Sequence, residues 1–181
     1  MLFRSDIAAL GLDLRLGVRA TRLRSDDHVV ELGEHGEIAY DGLVIATGAA
    51  PRRLPAQEPL DGLVELRTMA DSLALRDRIA DGTARVVVIG AGFIGLEAAA
   101  TARQKGCTVT VLEGAPAPLI RGLGADMGIA VAGVHHRHGV DLRCGVQVAG
   151  IESNRRGRVT GVRLADGEVD RKSTRLNSSH T

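Results

Sequence analysis

Aromatic side chains are almost missing from this 181-residue chain, which has no Trp, one Tyr and two Phe. That excludes the stacking platforms on which single-stranded nucleic acids are held, and it leaves a core built from Ala, Val, Leu and Ile. Lysine is nearly as scarce: of 23 basic residues only Lys105 and Lys172 are Lys. With abundant Ala and Gly, this points to the coding bias of a high-GC genome. A net charge of +1 removes the electrostatic case for nucleic acid or a membrane surface. No apolar run is long enough to span a bilayer. The two cysteines, Cys107 and Cys144, are far apart and fall at or beside predicted strands, the pattern of free thiols rather than a disulfide. No secretory leader is evident, so a cytoplasmic location is expected. What remains is globular: hydrophobic content is 44%, and the length suits one domain or one and a fraction.

The chemistry is concentrated in Arg85-Val86-Val87-Val88-Ile89-Gly90-Ala91-Gly92-Phe93-Ile94-Gly95-Leu96-Glu97 and in Val109-Thr110-Val111-Leu112-Glu113. A short β-branched run bounded by Gly predicts a buried parallel strand. The Ala-rich stretch Phe93 to Lys105 predicts a helix, stopped by Gly106. A second strand then ends on an acid. A lone G-x-G-x-x-G says little, but strand, helix and acid in register make a dinucleotide-binding unit. Gly90 makes the tight turn, Gly92 lets backbone approach a diphosphate, and Gly95 lets the helix pack on the strand. The amides of Ala91, Gly92, Phe93, Ile94 and Gly95 would face the phosphates at the positive end of the helix dipole. Glu113 stands where an acid accepts from both ribose hydroxyls. Gly114-Ala115-Pro116 after it offers no cation for a 2′-phosphate, which favours NAD(H) over NADP(H).

Around this unit, Leu12 to Leu16 alternates apolar and polar residues and reads as a strand, and Val18 to Leu23 as another extended piece. His28 to Leu32 and Glu37 to Tyr40 read as a hairpin. Leu43-Val44-Ile45-Ala46 predicts a short buried strand ending on the tight Thr47-Gly48 turn. Pro51 and Pro55, with Arg52 and Arg53, mark a linker. Thr68-Met69-Ala70-Asp71 has the form of a capping box and predicts a helix to about Ala80. A further helix is expected over Ala125 to Arg137, then a strand from Val140 to Arg143. Val146 to Glu152 and Arg158 to Leu164 predict an antiparallel flap turned at Ser153 to Gly157, with a third strand due after Val169. The His135-His136-x-His138 cluster lacks an acid or Cys at ligand spacing and reads as an ordinary helix end, with no metal.

The two ends break with this pattern. Asp170 to His180 is polar and aperiodic, and it resembles the translation of a common sequencing-library adapter; Met1-Leu2-Phe3-Arg4-Ser5 resembles the complementary strand. The expected organisation is therefore adapter-derived residues at 1–5, a nucleotide-binding segment at 6–50, a second, truncated nucleotide-binding domain at 51–169 and an adapter-derived tail at 170–181, making the chain a fragment.

Three motifs then converge. Tyr40-Asp41-Gly42-Leu43-Val44-Ile45-Ala46-Thr47-Gly48-Ala49-Ala50-Pro51-Arg52 resembles the ATG motif of flavoproteins with two dinucleotide-binding domains. Leu66-Arg67-Thr68 before an acidic helix is similar to their next element, and Gly90 to Glu113 to their nested NAD domain. Together with Arg137-His138-Gly139-Val140-Asp141-Leu142, these segments most resemble the NADH-dependent ferredoxin reductase branch. The resemblance implies an α/β fold: a Rossmann-like NAD-binding domain of parallel sheet, helices and antiparallel flap, preceded by part of an FAD-binding domain. It implies an enzyme using NADH and FAD to supply a small iron–sulfur protein, with FAD contacts at Ala20, Thr47, Gly48 and Arg67, and with Glu97 as an acid near the flavin–nicotinamide junction. The alternative for Glu97 is a helix-start acid favoured by the dipole. The family's first FAD glycine motif would precede Asp6, and its second FAD segment would follow Val169. A disulfide reductase, NADH oxidase or nitrite reductase flavoprotein is the alternative within enzymes, because the cysteine pair of the disulfide-reducing relatives would also precede Asp6. An inactive nucleotide-binding module is the alternative outside them.

Overall fold

The computed structural model describes residues 9–50 and 60–171. The chain divides into two units, Met1–Ala49 and Ala50–Thr181. The leader at 1–5, the Pro-Arg linker and the tail beyond Arg171 lie outside the described residues.

In the first unit β1 (Arg22–Arg24), β2 (Val29–Glu31) and β3 (Glu37–Ala39) form an antiparallel sheet in that order. The expected hairpin is β2–β3, turned through a short 3-10 segment at Gly33–His35. Arg24 spans the sheet, reaching Glu31 at 3.2 Å and Glu37 at 2.5 Å. Two expected strands do not form. Leu12 to Leu16 is irregular with its three leucines exposed, and Leu43 to Ala46 is irregular with Val44 at 87% and Ile45 at 70% exposure. A strand exists only where a neighbour takes its backbone hydrogen bonds, and among the described residues neither segment pairs with another. Gly48 does take the positive φ, 75°, that a tight turn uses.

The second unit opens with α1 (Met69–Arg78), whose capping box is complete: Thr68 Oγ1 accepts from the Asp71 N–H, and the Asp71 carboxylate accepts from Thr68 N–H. The helix ends at Arg78, short of the expected Ala80. Hydrogen bonds from the Thr68 backbone, its side chain and the Arg67 backbone hold the Asp71 carboxyl below its ordinary value. The cap's contribution is therefore in place above the ordinary carboxylate value and is lost as pH falls through the lowered one. Circular dichroism should show helix signal falling on acidification below roughly pH 4. Asp71→Ala should abolish that acid-dependent component, whereas Thr68→Ala, which keeps both backbone donors, should only reduce it.

Three parallel strands follow in the order β4 (Arg85–Ile89), β5 (Thr108–Glu113), β6 (Asp141–Cys144), connected by α2 (Phe93–Gln104) and α3 (Ile120–Arg137). The β-branched runs become strands because both faces of the sheet are covered. On one face Val109 and Val111 meet Leu96, Ala99 and Ala102 of α2, with Val140 and Leu142. On the other, Leu112 packs with Val162 and Leu164 of the antiparallel flap. β5 is buried on both faces, whereas β4 pairs only with β5 among the described residues and is half-buried, less enclosed than expected. α3 begins at Ile120, five residues before the expected Ala125. Gly124, at φ 79° and ψ 173°, separates its first turn from the main body. Cys107 is buried and Cys144 half-buried; both are free.

The flap is β7 (Val148–Ser153), β8 (Val159–Leu164) and β9 (Val169–Arg171) in that order. The third strand thus forms from Val169 onward and takes in Asp170 and Arg171, residues expected to belong to the adapter-derived tail. The reason is local and electrostatic. Backbone pairing on an existing edge needs no particular side chain, and the Asp170 carboxylate is buried between Arg85 of β4 at 3.4 Å and Arg143 of β6 at 3.6 Å. Arg143 also holds Asp141 and Glu168, and these carboxylates raise its pKa, with the Asp141 hydrogen bond foremost.

Candidate functional site: a glycine cradle closed by an acid

β4 and β5 end side by side, with Ile89 level with Leu112, so the loop after β4 and the acid ending β5 meet at the carboxyl edge of the sheet. Gly90 turns the chain with φ 101°, and its N–H donates to the Leu112 carbonyl at 2.8 Å. Gly92 caps α2 without any side-chain hydrogen bond, and a Cβ added there would meet nothing within 4 Å. The fold does not demand glycine at that position; open approach to the amides of the first helical turn is what it leaves. Gly95 is different. A Cβ there would lie 2.2 Å from the Gly90 carbonyl oxygen and 3.3 Å from Val88 Cγ1. Phe93 and Ile94, at the mouth of the cradle, are each more than half exposed.

Glu113 reaches back across this loop. Its Oε2 accepts from the Ala91 N–H at 2.6 Å and its Oε1 from the Ala115 N–H at 2.8 Å. A carboxylate has about four lone-pair positions, so two remain for the vicinal hydroxyls of a ribose. The residues present therefore fit a pyridine dinucleotide: bare amides for the diphosphate, an oriented acid for the adenosine sugar. Neighbouring Cys144, in register with Glu113, has its thiol pKa pushed up by burial first and by the Glu113 charge second, so it is held in the unreactive thiol form.

The structure thus brings Gly90, Ala91, Gly92, Phe93, Ile94, Gly95 and Glu113 together, but it corrects the role expected of Ala91, whose N–H is buried and taken by Glu113 rather than open to a phosphate. Glu97 is exposed on α2, but it is the fifth residue of a helix that starts at Phe93 and so lies beyond the first turn. That corrects the expected placement and weakens the dipole explanation, since the helix-end field falls off within a turn. Arg67 precedes the α1 cap, and its N–H donates to Asp71 at 3.0 Å. Ala20, Thr47 and Gly48 are exposed in the first unit. Two contributors were not foreseen. Ala115 supplies the second amide on Glu113. Leu119, with a left-handed φ of 55°, donates its N–H to the Ala91 carbonyl at 3.0 Å. Neither residue type carries a signal for such a role. At the far end of α3, burial first, then His138 and His136, lower the pKa of His135. The His138 Nδ1 lies 2.8 Å from the Val134 carbonyl. Among the described residues no three potential metal ligands gather, and no helix is long and apolar enough to cross a membrane.

Comparison with known proteins agrees with this geometry. The family described as pyridine nucleotide-disulphide oxidoreductase matches residues 6–175. The chain belongs to that family. Within it, rhodocoxin reductase of Rhodococcus erythropolis is 40% identical over 159 residues, covering 87% of this chain and 37% of the relative. Putidaredoxin reductase of Pseudomonas putida is 39% identical, covering 88% of this chain and 39% of the relative. The solved putidaredoxin reductase–putidaredoxin complex superposes with a TM-score of 0.81 at 33% identity, covering 96% of this chain and 42% of the reductase. This member of the pyridine nucleotide-disulphide oxidoreductases therefore spans about two fifths of the length of the relatives it matches.

Proposed function

We propose that the chain is the nucleotide-binding part of an NADH-dependent flavoprotein reductase that supplies electrons to a small iron–sulfur protein of the ferredoxin type. The observation that carries this reading is the Glu113 carboxylate on the glycine loop at the carboxyl ends of β4 and β5. Identities near 40% to rhodocoxin and putidaredoxin reductases support the choice of acceptor class. In this reading the amides of Gly92 to Gly95 hold the diphosphate and Glu113 holds the adenosine ribose. Glu97, exposed on α2, would serve as the acid near the flavin–nicotinamide junction. Ala20, Thr47, Gly48 and Arg67 serve FAD, which when bound supplies acceptance of an electron pair and its release one electron at a time.

The test has two parts. Fluorescence titration of the chain with NADH and NADPH should show NADH bound at least tenfold more tightly, about 1.4 kcal/mol, because a 2′-phosphate would sit against Glu113. Equal affinities would contradict the assignment of that acid. The whole protein carrying this segment should then reduce a ferredoxin with NADH and contain one flavin. A colourless protein that passes no electrons would leave only a nucleotide-binding module.

A further inference from the structure

We infer that Glu113 is also the positioning residue of the phosphate cradle, setting its shape before any ligand arrives. This rests on the dinucleotide reading of the site but goes beyond the acid's contact with a ribose. Ala91 is fully buried, so its N–H has no access to water. Among the described residues its one acceptor is Glu113 Oε2, twenty-two residues along the chain, at 2.6 Å. A bond to an ionised acceptor at that distance is of the strong class. Losing it would leave a buried donor orphaned, and the simplest relief is for the loop to open toward solvent. That opening would rotate the peptides that present the Gly92 to Gly95 amides.

The same carboxylate, through Oε1, fixes the Ala115 N–H. The Ala115 carbonyl in turn accepts from the Gly145 N–H at 2.9 Å, tying the end of β6 to this strap. On the other side, the Ala91 carbonyl accepts the Leu119 N–H, so the loop is coupled to the left-handed entry of α3. One charge thereby joins the turn after β4, the strap after β5 and the start of α3. Removing it should disturb phosphate binding even for a ligand that never touches it.

The experiment uses NADH and its analogue lacking both hydroxyls of the adenosine ribose, each titrated against the wild-type chain and Glu113→Gln. If the acid acts only through the hydroxyls, the analogue binds both proteins equally. The expected result is about tenfold weaker binding of the analogue to the variant. In unliganded wild type, NMR should show the Ala91 amide slow to exchange. Equal affinity of the analogue for both proteins would overturn the inference. So would a freely exchanging Ala91 amide, and that measurement stands even where Glu113→Gln fails to fold. Wild type that binds neither ligand while keeping a slowly exchanging Ala91 amide would instead count against the dinucleotide reading.

Discussion

Gly95→Ala should destabilise the second unit by about 3 kcal/mol or more, the upper range for overpacking, out of a total stability on the order of 5–15 kcal/mol. The added Cβ falls 2.2 Å from the Gly90 carbonyl oxygen, and that obstacle is backbone. It cannot rotate away like the end of a side chain. To make room, Gly90 must give up its N–H bond to Leu112 or α2 must lift from β4, and either opens the buried contacts of Leu96, Ala99 and Ala102. Gly92→Ala is the control. It meets nothing within 4 Å, so its urea midpoint should fall only by the small cost of Ala at a helix N-cap, far less than for Gly95→Ala, while NADH affinity falls because the methyl group stands where a diphosphate approaches. A Gly95→Ala midpoint equal to that of wild type would show that the helix and strand are not packed as described.

Leu112→Ala should cost about 2–5 kcal/mol, as deletions of well-packed leucines do. Leu112 is 1% exposed and is the residue of β5 that carries the flap, through Val162, Leu164 and the partly buried Val146, Val148 and Ile151. Its truncation leaves Val87 and the ion pairs of Arg85 and Arg143 with Asp170 and Glu168 to tie the two sheets. Ion pairs whose arginines are one-third exposed are weakened by solvent. They should not compensate. Because the Leu112 carbonyl, not its side chain, holds Gly90, NADH binding by the folded fraction should change little. Denaturant unfolding followed by tryptophan-free probes such as circular dichroism would measure the first effect, and titration at low denaturant the second. A loss below about 1 kcal/mol would mean the flap does not rest on β5.

These two residues also show how differently sequence and structure speak. Gly95 was legible because its requirement is local: a helix starting immediately after a strand must pass close to the turn that joins them, and only the third glycine permits it. The same holds for the Thr68–Asp71 capping box, whose partners are three residues apart, and for the parallel β4–α2–β5 unit, where β-branched runs alternate with an Ala-rich helix. Glu113 was legible as an acid at a strand end. Its reach to Ala91 was not, since that contact depends on how β4 and β5 are levelled against each other. Leu12 to Leu16 and Leu43 to Ala46 have strand patterns but lack a paired neighbour among the described residues, and pattern without a partner makes no ladder.

By itself, then, the sequence determined the turn, the helix, the two strands and the acid of a dinucleotide site, because each follows from the conformational limits of a few adjacent residues. Only the tertiary structure decided that the acid would bind the glycine loop and that Asp170 would be drawn between two arginines into a third flap strand. A backbone hydrogen bond or a buried charge is worth making only once other segments have excluded water from around it. That exclusion is a property of the packed molecule, written in no short stretch of chain.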